Sequence, residues 1–340
     1  MAHGSPMRVY YAGLALPLEE FLRRKYEALE RAGVEVIIAR DFFEPLPLPR
    51  PDVVHFEWNG GAIDFLERDD LWELPTIVSC RGTQIRVRPH VSAGYADQVR
   101  ETFRRATLVH CVCETVREEA CALGLDPEKS AVIFPAVDVE EFRPPARLER
   151  TPPLKLLAVG ALIWIKGYEV MLQTLRLLLD RGIDCRLEII GAGSERSRIL
   201  FTIEDLGLAN AVTLRGRVPP SMVRDAMARS DILLHASLSE GISNAVLEAM
   251  ASGLPVVTTD SGGMREAVSD GNDGLVVAVR DARAGADAVA RLAHEPELAA
   301  RLAGNARRTV ESRFRLDAQV ERWRRVYQDV AARPRVKGAT

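Results

Sequence analysis

The feature that most constrains the fold is a regular alternation of short apolar runs with longer amphipathic segments. From Met7 onward, runs rich in β-branched residues, such as VVHFEW and TLVHCVC, alternate with stretches whose apolar residues recur at helical spacing. This alternation predicts βαβ units and parallel sheets. The proline- and arginine-rich segment FRPPARLERTPP (142–153) interrupts it, and we interpret that segment as a linker. The sequence therefore predicts an α/β protein with two doubly wound domains, 7–148 and 149–320, followed by a last helix at 321–334.

Composition limits the partners and the compartment that we expect. The formal net charge of −3 over 340 residues, without a basic tract, argues against nucleic-acid binding. Five cysteines without a CxxC pair predict core thiols in a reducing compartment, hence the cytoplasm. No apolar run approaches the roughly 18 residues that a membrane-spanning helix needs, and we see no secretory leader.

The first candidate site residue is Lys166, in a loop that follows a predicted strand (VGALIWIKGYE). Ligands of doubly wound sheets bind at the carboxyl ends of the strands. A cation at the start of a helix opposes the helix macrodipole, and only five of the 45 basic residues are lysine. A phosphate ligand would explain this choice. A solvated surface lysine is the alternative.

The second loop is IIGAGSER, in which Gly191 and Gly193 follow a predicted strand. Paired glycines suggest that the backbone approaches a ligand, with a plain tight turn as the alternative. The third glycine of the dinucleotide fingerprint is missing, so we do not expect a nicotinamide cofactor.

The third loop, SLSEGISNAVLEAMASGLPVV, contains two glutamates. Glu240 follows a predicted strand, and Ser243 or Asn244 is suited to cap the next helix, whose first turn forms an anion site. Glu248 lies one turn further along, among Ala, Val, Leu and Met residues. We expect Glu248 to be buried, which requires either protein partners or the hydroxyl groups of a ligand.

Together these motifs closely resemble the retaining glycosyltransferases of family 4 (group 1), which have a GT-B fold of two Rossmann-like domains. The family is marked by an ExxxxxxxE motif followed by AMA and G-x-PVV, found here as EGISNAVLEAMASGLPVV. The resemblance covers essentially the whole chain and is most specific from Val159 to Gly274, where LRGRV, SGGMREAV and NDGLVV also match.

The resemblance implies a role for each matching position. Glu248 would bind the ribose of a nucleotide sugar, Glu240 would face the donor sugar, and Lys166 would hold the diphosphate. The rest of the donor site would comprise Gly241, Ile242, Ser243, Asn244, Gly191, Gly193, Val218 and Arg217. The last helix would cross back to the first domain, and donor and acceptor would meet in a cleft.

Three departures from the family pattern concern the remaining candidates. Ala161 stands where the family usually has an arginine, which Arg217 or Arg81 would have to replace. Arg81 itself, in SCRGTQI, stands where the family often has a histidine. DVVHFEW keeps His55 of a common DxxHxH pattern but has Glu57 in place of the second histidine. Arg81, His55 and Gly13 are the predicted contacts to the sugar or the acceptor.

The predicted function is transfer of a sugar, with retention, from a nucleotide sugar to an acceptor hydroxyl, without a metal or a cofactor. The alternatives are a non-catalytic or repurposed nucleotide-sugar-binding homologue and a sugar-nucleotide epimerase on the same fold.

A further hypothesis concerns the helix at 19–31. Its basic residues Arg23, Arg24 and Lys25 lie beside Leu22, Tyr26 and Leu29, which suggests weak peripheral membrane contact. Packing of this apolar face on the sheet is the alternative.

Overall fold

The computed structural model describes residues 6–144 and 152–333. In chain order, the elements before residue 145 are β1 (Met7–Ala12), α1 (Glu20–Arg31), β2 (Val34–Ile38), β3 (Val53–Phe56), α2 (Asn59–Asp64), α3 (Asp69–Trp72), β4 (Thr76–Cys80), α4 (Thr83–Arg86), α5 (Arg88–Val91), α6 (Ala93–Arg105), β5 (Leu108–Cys111), α7 (Glu114–Ala122) and β6 (Ser130–Val132).

The elements after residue 151 are β7 (Leu154–Val159), α8 (Tyr168–Asp180), β8 (Cys185–Ile190), α9 (Arg196–Asp205), β9 (Val212–Gly216), α10 (Pro220–Arg229), β10 (Ile232–His235), α11 (Asn244–Ala251), β11 (Val256–Thr259), α12 (Met264–Ala267), β12 (Leu275–Val277), α13 (Ala282–His294), α14 (Pro296–Arg313) and α15 (Leu316–Ala332).

The chain divides into two compact units. Unit 1 comprises Met1–Pro135 and Leu316–Thr340, and unit 2 comprises Ala136–Arg315. Each unit contains a six-stranded sheet, ordered β2-β1-β3-β4-β5-β6 in unit 1 and β12-β11-β10-β7-β8-β9 in unit 2. The strand pairs are parallel in both sheets. The prediction of an α/β protein with two doubly wound halves is therefore confirmed.

The core of unit 1 explains why the final helix belongs to this unit. The inner face of α15 presents Val320, Trp323, Tyr327 and Val330, which recur at helical spacing and are buried. They join a cluster that also contains Leu22, Tyr26 and Leu29 of α1 together with apolar residues of the sheet. Packing against α1 and the sheet thus fixes α15 in unit 1.

The segment before the predicted linker belongs to unit 2. The Val137 amide donates to the Phe314 carbonyl (2.9 Å), and the Arg307 guanidinium donates to the carbonyls of Phe142 (2.6 Å) and Val139 (3.0 Å). The predicted boundary between 148 and 149 lies outside the described residues. The last helix begins at Leu316 rather than at 321, and residue 334 again lies beyond the described part.

The topology of unit 2 determines where a ligand can bind. Strand order reverses at β7, which lies between β10 and β8. In doubly wound sheets, ligands bind outside the carboxyl ends of the strands at such a reversal. The loop with Lys166 follows β7 and the loop with Glu240 follows β10. Two candidate residues from distant parts of the sequence are thereby brought to one edge of the sheet.

Within the described ranges, we find no helix with the length and hydropathy needed to cross a bilayer.

Candidate functional site

The loop that carries Lys166 is fixed by its backbone. A short 3₁₀ turn at Trp164–Lys166 leads to Gly167, whose φ of 65° lies in the left-handed region. A Cβ atom on Gly167 would lie 2.1 Å from the Ala236 carbonyl oxygen, so a side chain cannot be accommodated. The Leu238 amide also donates to the Ile165 carbonyl (2.7 Å). The lysine turn therefore rests directly on the loop after β10.

This contact places Lys166 beside Glu240. The Lys166 ammonium lies 2.5 Å from Glu240 Oε1, and the two side chains are only 21% and 11% exposed. The same oxygen accepts a hydrogen bond from Ser237 Oγ (2.8 Å) and lies 3.3 Å from His235 Nε2. Glu240 is thus a buried carboxylate with a cationic and two polar partners, as burial of a charge requires.

A second set of hydrogen bonds holds these partners. His235 Nδ1 lies 2.9 Å from Thr258 Oγ1 of β11, and Ser237 Oγ lies 2.9 Å from His235 Nε2. Thr259 Oγ1 donates to the Ser237 carbonyl (2.6 Å). Since β11 pairs with β10, the position of the Glu240 carboxylate is determined by two neighbouring strands.

Electrostatics keeps Glu240 ionised. Burial acts to raise the pKa of its carboxyl group, but the Lys166 charge and the hydrogen bond from His235 outweigh burial and lower the pKa well below its usual range. At neutral pH the site therefore contains a fixed carboxylate. Before it in the chain, the Ser239 hydroxyl is buried without a hydrogen-bond partner among the described residues, and such unsatisfied buried groups are rare in folded proteins.

The expected burial of Glu248 is wrong. Its neighbours Val246, Leu247, Ala249 and Met250 are buried in the core, whereas Glu248 is partly exposed. Asn244, one helical turn earlier, is also partly exposed, so the two side chains share one face of α11. Glu248 thus lies on the partly exposed face of α11, whereas Val246, Leu247, Ala249 and Met250 form its buried face.

The residues that lead into α11 are enclosed. Gly241, Ile242 and Ser243 are buried. Ser243 is the N-cap residue of α11, but its hydroxyl makes no capping hydrogen bond. The first turn of α11 begins at Asn244, four residues after Glu240, so the amide groups of this turn and the Glu240 carboxylate belong to one short segment.

Gly191 and Gly193 have a structural reason to be glycine. A Cβ atom on Gly191 would lie 1.8 Å from the Gly160 carbonyl oxygen, and one on Gly193 would lie 2.4 Å from the Leu162 carbonyl oxygen. Both glycines allow the loop after β8 to pack backbone to backbone against the loop after β7, where the Leu162 amide donates to the Ala192 carbonyl (3.0 Å). Their contact with a nucleotide base stays a prediction.

The other predicted donor residues lie in the loop after β9. Val218 is partly exposed and Arg217 is exposed. Arg217 has no ion-pair partner within the described ranges. Ala161, at the position of the missing family arginine, is likewise exposed.

Arg81 of unit 1 is engaged by a buried glutamate. Its guanidinium forms an ion pair with Glu57, and its Nε donates to the Glu57 carbonyl (2.9 Å). Lys25 forms a second ion pair with Glu57, which is completely buried. Burial acts to raise the pKa of Glu57, but the two cations outweigh it and lower the pKa. Arg81 therefore belongs to a charge cluster inside unit 1.

His55 lies in the core of unit 1 and is completely buried. Its Nδ1 lies 2.9 Å from the Tyr327 hydroxyl of α15, and its Nε2 lies 2.8 Å from Ser79 Oγ. The same serine oxygen lies 2.8 Å from His110 Nδ1. Burial lowers the pKa of both histidines, that of His110 to about 3, so both rings are neutral. In this structure His55 connects α15 to the sheet rather than facing solvent.

Gly13 is required by a close approach of two loops. Its φ is 68°, and a Cβ atom there would lie 2.8 Å from the backbone of Gly61. Backbone packing of these loops accounts for the glycine without a ligand. A contact with the acceptor stays a prediction.

Helix α1 has no apolar face available for a membrane. Leu22, Tyr26 and Leu29 are packed in the core, and Lys25 is buried against Glu57. Arg23 pairs with glutamates one turn before and after it on the same helix. Core packing, the alternative to membrane contact, is what the structure shows for these apolar side chains.

The sequence analysis missed His235, Ser237 and Ser239. His235 and Ser237 lie two residues apart at the end of β10, so their side chains point to the same side of an extended chain. This spacing could have identified them in the sequence. The partners of His235 and Ser237 from outside this segment, Thr258 and Thr259, belong to the neighbouring strand β11. The sequence gives no local sign of these pairings.

Comparisons with known proteins identify the family to which the chain belongs. Residues 139–309 match the family model described as glycosyl transferases group 1, and residues 21–136 match the model of a glycosyl transferase 4-like domain. Sequence relatives include the D-inositol 3-phosphate glycosyltransferase of Corynebacterium urealyticum, 30% identical over 270 residues, which are 71% of this chain and 63% of that protein. The amylovoran biosynthesis glycosyltransferase AmsK of Erwinia amylovora is 27% identical over 268 residues, 77% of this chain and 66% of that protein. The chain thus spans less than two thirds of the length of these relatives.

Solved structures share the fold at low identity. Sucrose-phosphate synthase from Thermosynechococcus elongatus is similar with a TM-score of 0.83 at 16% identity, covering 96% of this chain and 99% of that one. HepE of Anabaena, solved with UDP and glucose, has a TM-score of 0.79 at 16% identity, covering 95% and 99%. The chain belongs to the group 1 glycosyltransferases, with a GT-B fold of the family 4 type.

Proposed function

We propose that this protein transfers a sugar from a nucleoside-diphosphate donor, bound by unit 2, to an acceptor hydroxyl, with retention at the anomeric carbon and without a metal ion. The observation that carries the proposal is the largely buried Lys166–Glu240 pair at the strand-order reversal of unit 2. Removing two charged groups from water is energetically unfavourable. The position of this pair at the ligand-binding edge of the sheet therefore supports a functional role.

Lys166 is suited to hold the diphosphate. An ammonium group has three N–H donors, and Glu240 is its one hydrogen-bond partner among the described residues. Two donors therefore remain for a ligand without breaking the ion pair. The amide groups at the start of α11 add a second positive potential. Together they would stabilise the charge that develops on a leaving diphosphate.

Glu248 is suited to bind ribose. It is partly exposed, one turn along α11 from the proposed diphosphate position, and a carboxylate accepts hydrogen bonds from vicinal hydroxyl groups. A nucleotide-sugar donor is also supported by HepE of Anabaena, whose structure was solved with UDP-glucose.

Glu240 is better suited to orient the donor sugar than to remove a proton. Its pKa is held well below the usual range, and a general base works best when its pKa is near the working pH. We therefore assign proton removal to the leaving diphosphate. The bond between the anomeric carbon and the diphosphate oxygen breaks, the acceptor oxygen bonds to that carbon on the same face, and the acceptor proton passes to the diphosphate.

Turnover of a panel of UDP-, GDP-, ADP- and dTDP-sugars, measured by release of the nucleoside diphosphate, tests this assignment. We expect Lys166→Ala and Glu248→Gln to lose about a hundredfold or more in kcat/KM, as when one electrostatic donor is removed from a catalytic site. The matched controls Lys155→Ala and Glu204→Gln change exposed side chains of unit 2 and should keep wild-type rates. Wild-type turnover in both site variants would refute the assignment.

Ala161 favours one second candidate, a protein that binds a nucleotide sugar without transferring it. The exposed alanine removes a cation that the family pattern provides. Binding of a nucleotide sugar from this panel, without release of the nucleoside diphosphate in the presence of any of many acceptors, would favour this candidate.

We also propose a reducing compartment, such as the cytoplasm. Cys80, Cys111 and Cys185 are buried thiols, and burial raises the pKa of Cys185 to about 11. Thiols of this kind behave as core residues rather than as disulfide partners.

A further inference from the structure

A groove in unit 2 lies beside the lysine turn, and it is lined by none of the donor-site residues predicted from the sequence. It encloses about 390 Å³ and is formed by the N-terminal ends of α8 and α9, including the preceding Gly167 and Glu195, together with Ile163, Trp164, Leu238 and Arg280. None of Lys166, Glu240 and Glu248 lines it. The volume falls in the range of sites that bind small molecules.

The groove has an aromatic wall. Trp164 is 50% exposed, and Ile163, Val170 and Leu238 are further apolar residues of the lining. A large, half-exposed indole next to apolar neighbours offers a flat surface that favours contact with a ligand.

The polar wall carries balanced charge. Arg198 lies 2.5 Å from a Glu169 oxygen and 3.5 Å from a Glu195 oxygen. Gln173, Arg280 and Tyr168, whose hydroxyl donates to the Gly160 carbonyl (2.8 Å), also line the groove. Two carboxylates, two guanidinium groups and one amide give no net charge, which disfavours a phosphate or another anion. The same groups offer many donors and acceptors to a neutral, hydroxyl-rich ligand.

Arg280 has an unusual backbone conformation. Its φ of 66° is the one positive value among the non-glycine residues that the structure describes. The left-handed region is costly for a residue with a long side chain, and such conformations concentrate at ligand sites. Arg280 is also exposed, and the described residues provide it with no hydrogen-bond or ion-pair partner.

We propose that this groove binds a neutral saccharide, with the apolar face of a pyranose ring on Trp164 and its hydroxyl groups on Glu169, Gln173 and Arg280. This goes beyond the proposed function, because the ligand is neither the nucleotide nor the donor sugar at Glu240. Trp164 and Lys166 belong to the same 3₁₀ turn, so a saccharide in the groove contacts the turn that carries the diphosphate-binding lysine.

The test measures binding without turnover, so that it does not depend on transferase activity. Saturation-transfer difference NMR is recorded on the full chain with maltose, cellobiose, lactose and α-1,2-mannobiose as probes. We expect at least one disaccharide to bind, and Trp164→Ala to weaken that binding about tenfold or more, as when a central aromatic contact is removed. Phe201→Ala is the matched control, because Phe201 is a 71% exposed aromatic residue of α9 that does not line the groove.

A second variant separates binding from folding. Arg280→Gly removes the guanidinium and relieves the backbone strain, so thermal stability should be kept or increased while saccharide affinity falls severalfold. Absence of binding by all four disaccharides, or binding that is unchanged in both Trp164→Ala and Arg280→Gly, would overturn the proposal.

Discussion

Removal of the Lys166 charge should destabilise unit 2 in a pH-dependent way. Lys166→Met keeps much of the side-chain volume but leaves the buried Glu240 carboxylate without its cation. Breaking a buried ion pair by removing one partner costs about 3–5 kcal/mol. Because Ser237 and His235 still donate to Glu240, we expect a loss of about 2–3 kcal/mol, or roughly 5–10 °C in Tm for a unit of this size.

The sign of the pH dependence follows from Glu240. Its pKa is lower in the folded protein than the ordinary value of 4.5, so the unfolded chain binds the proton first. The stabilisation by the pair is therefore fully present above about pH 4.5 and is lost as the pH falls below it. In Lys166→Met the pKa of Glu240 is depressed less. The stability gap between wild type and variant should thus narrow between pH 7 and about pH 3.

The assay must distinguish the two units. Trp164 lies in unit 2, whereas Trp58, Trp72 and Trp323 lie in unit 1. ¹⁹F NMR of 5-fluorotryptophan-labelled protein during urea unfolding therefore reports on unit 2 through one resonance. Lys155→Met, which changes an exposed lysine of β7, is the control. A loss no larger than in this control, or a gap that does not change with pH, would refute the reasoning.

Three further predictions concern other parts of the chain. Glu57→Gln leaves the buried Lys25 without a counter-ion and should lower the free energy of unfolding of unit 1 by about 3–5 kcal/mol. The control Glu119→Gln changes a partly exposed ion pair with Arg86 and should cost about 0–1 kcal/mol. Equal losses in urea unfolding would contradict this prediction. Gly167→Ala should abolish donor turnover and destabilise the protein by about 1–3 kcal/mol more than Gly207→Ala. Gly207 is the matched control because it has a similar φ of 63° with open space around it. Equal effects of the two substitutions would contradict the close contact at Gly167. Tyr327→Phe removes the hydroxyl that is hydrogen-bonded to Tyr11 and to His55, and it should lower the free energy of unfolding by about 1–3 kcal/mol. An unchanged midpoint of urea unfolding would contradict a stabilising role for these buried hydrogen bonds.

The fold could be predicted from local patterns in the sequence. The strands, the two doubly wound halves and the three loops with candidate residues could be predicted because helical and strand periodicities are local properties of the chain. The loop positions followed from the rule for ligands of doubly wound sheets. The predicted domain boundary, by contrast, rested on composition alone.

Long-range pairing limited the prediction of the site. Lys166 and Glu240 lie 74 residues apart, and Lys25 and Glu57 lie 32 residues apart, so neither pair has a local signature. Arg81 could not be assigned from its motif because the Glu57 carboxylate that engages it follows another strand. The burial of Glu248 was mispredicted since its apolar flanking residues indicate a buried helix but not which way the glutamate faces.

The stereochemistry of donor cleavage tests the central proposal most directly, and it needs no knowledge of the acceptor because water can replace it. ¹H NMR of the anomeric proton follows the first turnovers of an α-linked nucleotide sugar from the UDP, GDP, ADP and dTDP panel, before mutarotation. We predict that one donor is cleaved to the α-sugar and its nucleoside diphosphate, and that Lys166→Ala abolishes this cleavage. Release of the β-sugar, or no cleavage of any donor, would contradict a retaining transferase.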